Sequence, residues 1–320
     1  VTTAATALPA AAPAARPEAP GFWRRFLRKR LAVASLLVIV VVYGTGLLAP
    51  WVAPYSFRHQ DLGNTFAGPS REHPLGTDRL GRDVLSRLIW SAQTTVIVSA
   101  CSLLLGGLAL GVGLGLLAGY AGGRVDNLIM RLGDVLFALP DIMLLLLITA
   151  TVRPRVDAFF RDFERWSGIG GIRESGAPDY VLIFGALSLF SWVGMARVVR
   201  SQVLALRESE FVLAARALGA STGHILARHL LPNVSPLVIV AATGILGTAA
   251  GAEVALSFLG IGVQPPHPSF GVMIIENAGA RNMLAHPNLL FVPAAVVGLL
   301  LVAFAFLGDA LNDLLSPRRR

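Results

Sequence analysis

Apolar positions along the chain come in long charge-free blocks, not in strand-like alternation or the narrow stripes of surface helices. Leu31–Ala49 is the first such block and directly follows the basic cluster Arg24–Arg30. Leu88–Gly123 carries no charge, and its last two-thirds is predicted as a second span. The third is predicted over Asn127–Val152, the fourth over Tyr180–Ala196, the fifth over Val234–Phe258 and the sixth over Leu289–Gly308. Each offers about 17–25 mainly apolar residues, the length that a hydrocarbon core about 30 Å thick requires. Lipid leaves backbone groups no water to bond, so helices are the expected spanning form. The pattern predicts an all-α integral membrane protein with six transmembrane helices and both termini on one side.

Composition agrees. Of 320 residues, 54% are hydrophobic and 14% charged, with mean hydropathy +0.66, against about 25% charged in soluble domains. Length alone would suggest two globular domains, but there are too few polar residues to cover them. The net charge of +8 is placed unevenly. The segments on the side of the termini hold 15 of the 27 Arg and Lys and the opposite loops 11, which favours cytoplasmic termini and a membrane topology over a nucleic-acid face. Lys29 is the single lysine and has no glycine loop around it, so the pattern that holds nucleotide phosphates is missing. The chain divides into an Ala/Pro-rich disordered tail over 1–23, a basic flank and first helix over 24–54 and an external loop over 55–93. A five-helix core over 94–310 and a basic C-terminus over 311–320 follow. Cys101, the only cysteine, excludes an intrachain disulfide.

The cytoplasmic loop 199–232 is the most informative stretch. Residues 209–218 read as a short helix stopped by Gly219, and 221–230 as a second helical stretch stopped before Pro232. Ala214, Ala215 and Gly219 form a smooth patch that another protein could approach closely, although an ordinary amphipathic connector has the same look. The loop resembles the EAA loop of ABC-importer permeases: Glu-Ala-Ala, three residues, Gly, nine residues, Ile-x-Leu-Pro. Ala214, Ala215, Gly219, Leu231 and Pro232 stand at the matching places. Leu213 stands where that pattern has glutamate and His229 where it has isoleucine, with Glu210 one turn earlier. The resemblance implies a coupling helix that docks on an ATPase subunit through Glu210, Phe211, Ala214, Ala215, Gly219, Leu231 and Pro232.

A second signature lies in the external loop: Gly76, Thr77, Asp78, Gly81, Arg82 and Asp83. Thr77 or Asp78 is predicted to cap an interfacial helix that presents Leu80, Val84, Leu85, Leu88 and Ile89 on one face. With Ser257–Gly262 and Phe306–Asp309, this series resembles the "C" permease of dipeptide, oligopeptide and nickel importers over residues 25–317. The resemblance implies a type I ABC importer permease fold in a bacterial inner membrane, and a homologous second permease. It also implies two ATP-binding subunits that carry ATP and magnesium, and an external solute-binding protein. Peptides are the implied substrate, with nickel chelates or glutathione as the alternatives. No catalysis, cofactor or metal site is expected of this chain itself; His59, His73, His267 and His286 lack metal-ligand spacing. A secondary transporter would show an internal repeat, and a membrane scaffold would leave the EAA-like loop unexplained.

Four further features carry expectations. Gly107, Gly111, Gly115 and Gly119 recur every four residues and permit close helix approach, within this chain or against a partner permease. Arg131 and Asp134, three apart, are expected to pair. Asp141 and Glu253 stand alone in their spans and are expected to line the translocation path. In the long loop 153–179, Phe159, Phe160, Phe163 and Trp166 suggest a short amphipathic helix or a solvated insertion.

Overall fold

The computed structural model describes residues 22–315 apart from Leu139. Most of the expected tail and the basic residues 316–320 lie outside them, while Phe22 and Trp23 of that tail already belong to helix α1 (Phe22–Leu27). Then come α2 (Arg30–Leu47), the short α3 (Ala49–Val52) and α4 (Val84–Ala121). The long α5 (Gly123–Phe137), α6 (Asp141–Ser167) and α7 (Ala177–Leu206) follow. Next are the short α8 (Glu210–Ala217), the long α9 (Thr222–Phe258), α10 (Phe270–Asn277), α11 (Ala280–Ala285) and α12 (Asn288–Leu315). There is no strand among the described residues. Five helices (α2, α4, α7, α9 and α12) are long and apolar enough to cross a membrane, and α5 with α6 makes a sixth span if counted as one.

That third span departs from a straight Asn127–Val152 helix. It is bent by 88° between α5 and α6, because Pro140 offers no amide to the preceding turn and sits as the cap before Asp141. The helix that begins there runs on to Ser167, so the aromatic residues of the long loop extend a span and form no separate helix. Phe159 and Trp166 are exposed on this extension.

Glycines decide how α4 meets α7. Cβ atoms added at Gly111, Gly115 and Gly119 would lie within 3 Å of Met195, Ala196 and Val203. The ladder is thus spent on packing inside this chain. At its upper end Gly106, not Gly107, takes the close position, against Ser188 and Ser191. The reason is the π-helical register of Ser102–Val112, whose wider turns bring residues five apart onto one face. Gly107 is turned towards Ile245 of α9.

A second π-helical stretch, Ile225–Leu230, lies just before Pro232. The helix expected to stop there continues to Phe258 as α9, the widened turns accommodating the proline ring. The apolar core runs along α4, α7 and α9, with Val112, Met195, Val199, Ile225, Leu230 and Val234 all buried in one cluster.

Candidate functional site

At one end of the bundle α8 stands outside the long helices. Ser209 precedes it in extended conformation. Its stop is a Schellman motif: Ala220 N–H bonds the carbonyl of Ala215, and Gly219 N–H that of Arg216, both at 3.0 Å. The motif needs a left-handed residue, and Gly219 has φ +81°. The two faces of α8 differ. Val212 and Ala215 are buried in the cluster shared by α4, α7 and α9. Phe211, Leu213 and Leu218 are exposed, Leu218 to 89%, as are Glu210, Ala214 and Gly219. The smooth patch expected of both alanines therefore belongs to Ala214 and Gly219 only, and Ala215 anchors the helix. Arg216 lies over the Tyr120 ring at 5.5 Å, and Arg207 donates to the Gly119 carbonyl, tying the segment to the end of α4. Leu231 and Pro232 are exposed on α9 just after its π-helical stretch.

The two isolated carboxylates part company. Asp141 is exposed at the start of α6, its Oδ1 accepting from Ile142 N–H at 2.8 Å, where the helix N-terminus favours its charge. It lines a cavity of about 290 Å³ between α5, α6, α7 and α9, with Phe137, Phe190, Ser191, Ile245 and Thr248 among the walls. Glu253 has no exposed surface. Its Oε2 accepts from Thr95 Oγ1 at 2.8 Å and its Oε1 from Ser257 Oγ at 2.9 Å. Far from lining a path, it joins α4 to α9 inside the subunit.

Arg131 and Asp134 do not form the expected pair. Asp134 accepts from Arg197 of α7 at 2.7 Å, and Asp126 binds Arg200 through two nitrogens. Neighbouring helices supply these partners, so spacing along α5 could not reveal them.

At the opposite end the Gly76–Asp83 signature is a loop, not the start of a helix. Gly76 and Gly81 have positive φ, and the Asp78 carboxylate takes the amides of Leu80 and Arg82, a competition with helical bonding. Asp83 is the cap of α4, accepting from Ser86 N–H and Ser86 Oγ at 2.7 Å and from His73 Nδ1 at 3.0 Å. Thr77 Oγ1 accepts from Ala67 N–H at 2.8 Å and bonds the Asn64 carbonyl. Asp78 then receives Arg82 Nε and Arg87 Nη1, each at 2.6 Å, and both arginines also reach Glu276 of α10 at 2.8 Å. These four charges sum to zero and are largely buried. Glu276 carries little signal in the sequence, where it is one acid directly after the apolar stretch Phe270–Ile275.

Known proteins place this architecture. Residues 111–320 match the family described as binding-protein-dependent transport system inner membrane component. Residues 21–69 match the N-terminal transmembrane domain of oligopeptide transport permease C. The dipeptide transport system permease protein of Bacillus subtilis is 37% identical over 93% of this chain and 85% of its own length. The glutathione transport system permease proteins of Escherichia coli and Pectobacterium atrosepticum are 37% and 35% identical over 93% of this chain, covering 89% and 90% of their own. With its apolar helices and these matches over nearly its whole length, the chain belongs to the family of binding-protein-dependent transport inner membrane components, as a multi-pass ABC importer permease.

Proposed function

We propose that this permease imports short peptides by alternating access, driven by ATP hydrolysis on two separate ATPase subunits. A homologous permease pairs with it around the path, and a solute-binding protein delivers the substrate from outside. Both termini lie in the cytoplasm, on the side of α8. One observation carries the mechanism: α8 has one face rooted in the core of three long helices and the other exposed. A push on Phe211, Leu213 or Leu218 from an ATPase is transmitted through Val212 and Ala215 to α4, α7 and α9. Such a lever works because packed interiors move as units. Leu213 in place of the family's glutamate makes this contact more apolar. The carboxylate of Asp141, open to the cavity beside α9, suits the ammonium group of a peptide.

Gly219 tests the lever. A Cβ there meets nothing within 4 Å, so Gly219→Asp strains only the backbone and adds a charge on the docking face. ATP hydrolysis is expected to continue while uptake of a radiolabelled dipeptide falls at least about tenfold, the size of a 1.4 kcal/mol loss in coupling. Unchanged uptake would refute the lever. Asp141→Asn is expected to impair peptide uptake without lowering the amount of assembled complex. Glutathione is the second substrate to assay, given the relatives that carry it by name.

A further inference from the structure

The connection between α6 and α7, residues 168–176, has a use that the transport cycle above leaves open. Its residues wall a polar cleft of about 410 Å³ at the end of the bundle opposite α8, lined by Arg58, Arg173, Glu174, Asp179, Gln264 and His267 among others. Small-molecule sites start at roughly 300 Å³. Three segments far apart in sequence meet here: the loop before α4, the return from α6 and the turn after α9.

The floor of the cleft is fixed. Asp179 accepts from Arg153 Nη1 at 2.6 Å and from Gln264 N–H at 2.9 Å, so its charge is already answered. Arg153 also donates to the carbonyl of Gly262 at 3.1 Å. His267 is 8% exposed and bonds the Glu174 carbonyl through Nε2 at 3.0 Å, with its ring against Phe57 at 5.1 Å. Burial lowers its pKa below the ordinary imidazole value, so it is a neutral wall at pH 7. A Cβ added at Gly176 would press on that ring at 3.0 Å, which shows how closely the parts fit.

The rim is different. Arg58 donates Nη2 to the Glu174 carbonyl at 2.9 Å and lies over the Phe57 ring, but no carboxylate comes within ion-pair distance of it among the described residues. The Arg173 guanidinium forms no ion pair among the described residues either, and only the backbone N–H of Arg173 meets an acid, donating to Glu164 Oε1 at 2.9 Å. Two exposed guanidinium groups thus line the cleft without an ion pair among the described residues, and Glu174 stands on the same rim. Guanidinium forks prefer the paired oxygens of a carboxylate, and an acid beside them suits an ammonium group.

We propose that this cleft is an outer subsite for a zwitterionic solute, taking its free carboxylate on Arg58 and Arg173 and its ammonium group near Glu174. The assignment rests on the peptide-carrying reading and gives the connection 168–176 a part in choosing peptides with a free C-terminus. The carboxylate comes from the solute and not from an acidic side chain of the binding protein.

The test uses the assembled transporter without its binding protein, so that selection by that protein does not enter. Saturation-transfer NMR is recorded with the dipeptide Ala-Ala and with its C-terminal amide. Ala-Ala is expected to bind at least about tenfold more tightly than the amide, the size of one charge-assisted hydrogen bond. Arg58→Gln with Arg173→Gln is expected to remove that preference. Arg173→Gln alone, at an exposed side chain, keeps the Arg58 contact to Glu174 and is expected to remove part of it with the melting temperature unchanged. Equal binding of acid and amide, or no binding of Ala-Ala to the wild type, overturns the proposal. So does a double variant that binds Ala-Ala normally and fails to capture the binding protein, which would assign the arginines to docking. Uptake of Ala-Ala by energised vesicles is scored separately and bears on the peptide-carrying reading alone.

Discussion

The two ends of this bundle use polar residues in opposite ways. At the Gly76–Asp83 end, Asp78, Arg82, Arg87 and Glu276 are buried against one another, and Asp83 spends its oxygens on His73 and Ser86. At the α8 end, Glu210 and Glu208 are exposed, and apolar Leu213 and Leu218 face outward beside them. The first end is satisfied within the chain and holds a loop of long sequence separation onto α10. The second is satisfied only in part, and what is left over is a surface. Arg82 is as much a part of the recognisable sequence as Gly219, yet its side chain is spent on ion pairs inside the chain while Gly219 stays exposed.

Substitutions can break that contrast, and the largest effect is expected at the buried charges. Arg87→Met leaves Asp78 and Glu276 with one partner fewer in a buried place, a cost of about 3–5 kcal/mol. The expected outcome is little folded protein in the membrane, read by fluorescence-detected size exclusion of a tagged chain. Full recovery of a monodisperse peak would show that the charged cluster is ornamental. Gly115→Leu comes next. Its added atoms would meet Ala196 and Val199, and overpacking of this kind costs about 1–3 kcal/mol, expected as a lower melting temperature in detergent.

His267 should give a smaller, pH-dependent effect. Its pKa is lowered by burial in the folded protein, so the unfolded chain takes up the proton first as pH falls. The stabilisation is complete above the ordinary value near 6.5 and is lost as pH drops through the folded value. Melting temperature is expected to fall between pH 7.5 and 5, and His267→Gln to flatten that dependence. Leu218→Asp should have the smallest effect on stability, within about 0.5 kcal/mol as for other exposed sites. Its expected signature is poor recovery of the ATPase subunits with the tagged permease. A fall in melting temperature as large as that of Gly115→Leu would show that the face of α8 is not free.

Much of the fold was legible because lipid imposes a length and a composition on every span. The glycine stop of α8 was legible too, since few residues other than glycine adopt φ near +80° at low cost. The start of α4 was misread: Thr77, Asp78 and Asp83 are all plausible caps by residue type, and only the positive φ of Gly76 and Gly81 and the amides captured by Asp78 select Asp83. Asp141 and Glu253 looked equivalent as lone acids in apolar runs. Their difference came from Thr95, far away in sequence, which reaches one of them and not the other.

The sequence by itself determined five of the long apolar helices, the short helix between the fourth and fifth spans and the place where it stops, while the third span is a bent pair of helices. These follow from local composition, spacing and backbone preference. Tertiary structure alone decided the pairing of Asp134 with Arg197 and the use of Gly106 in the helix contact. It alone turned one alanine of α8 inward and left the other exposed. Each of these depends on what a neighbouring helix presents at a given depth, and one-dimensional spacing holds no information about that.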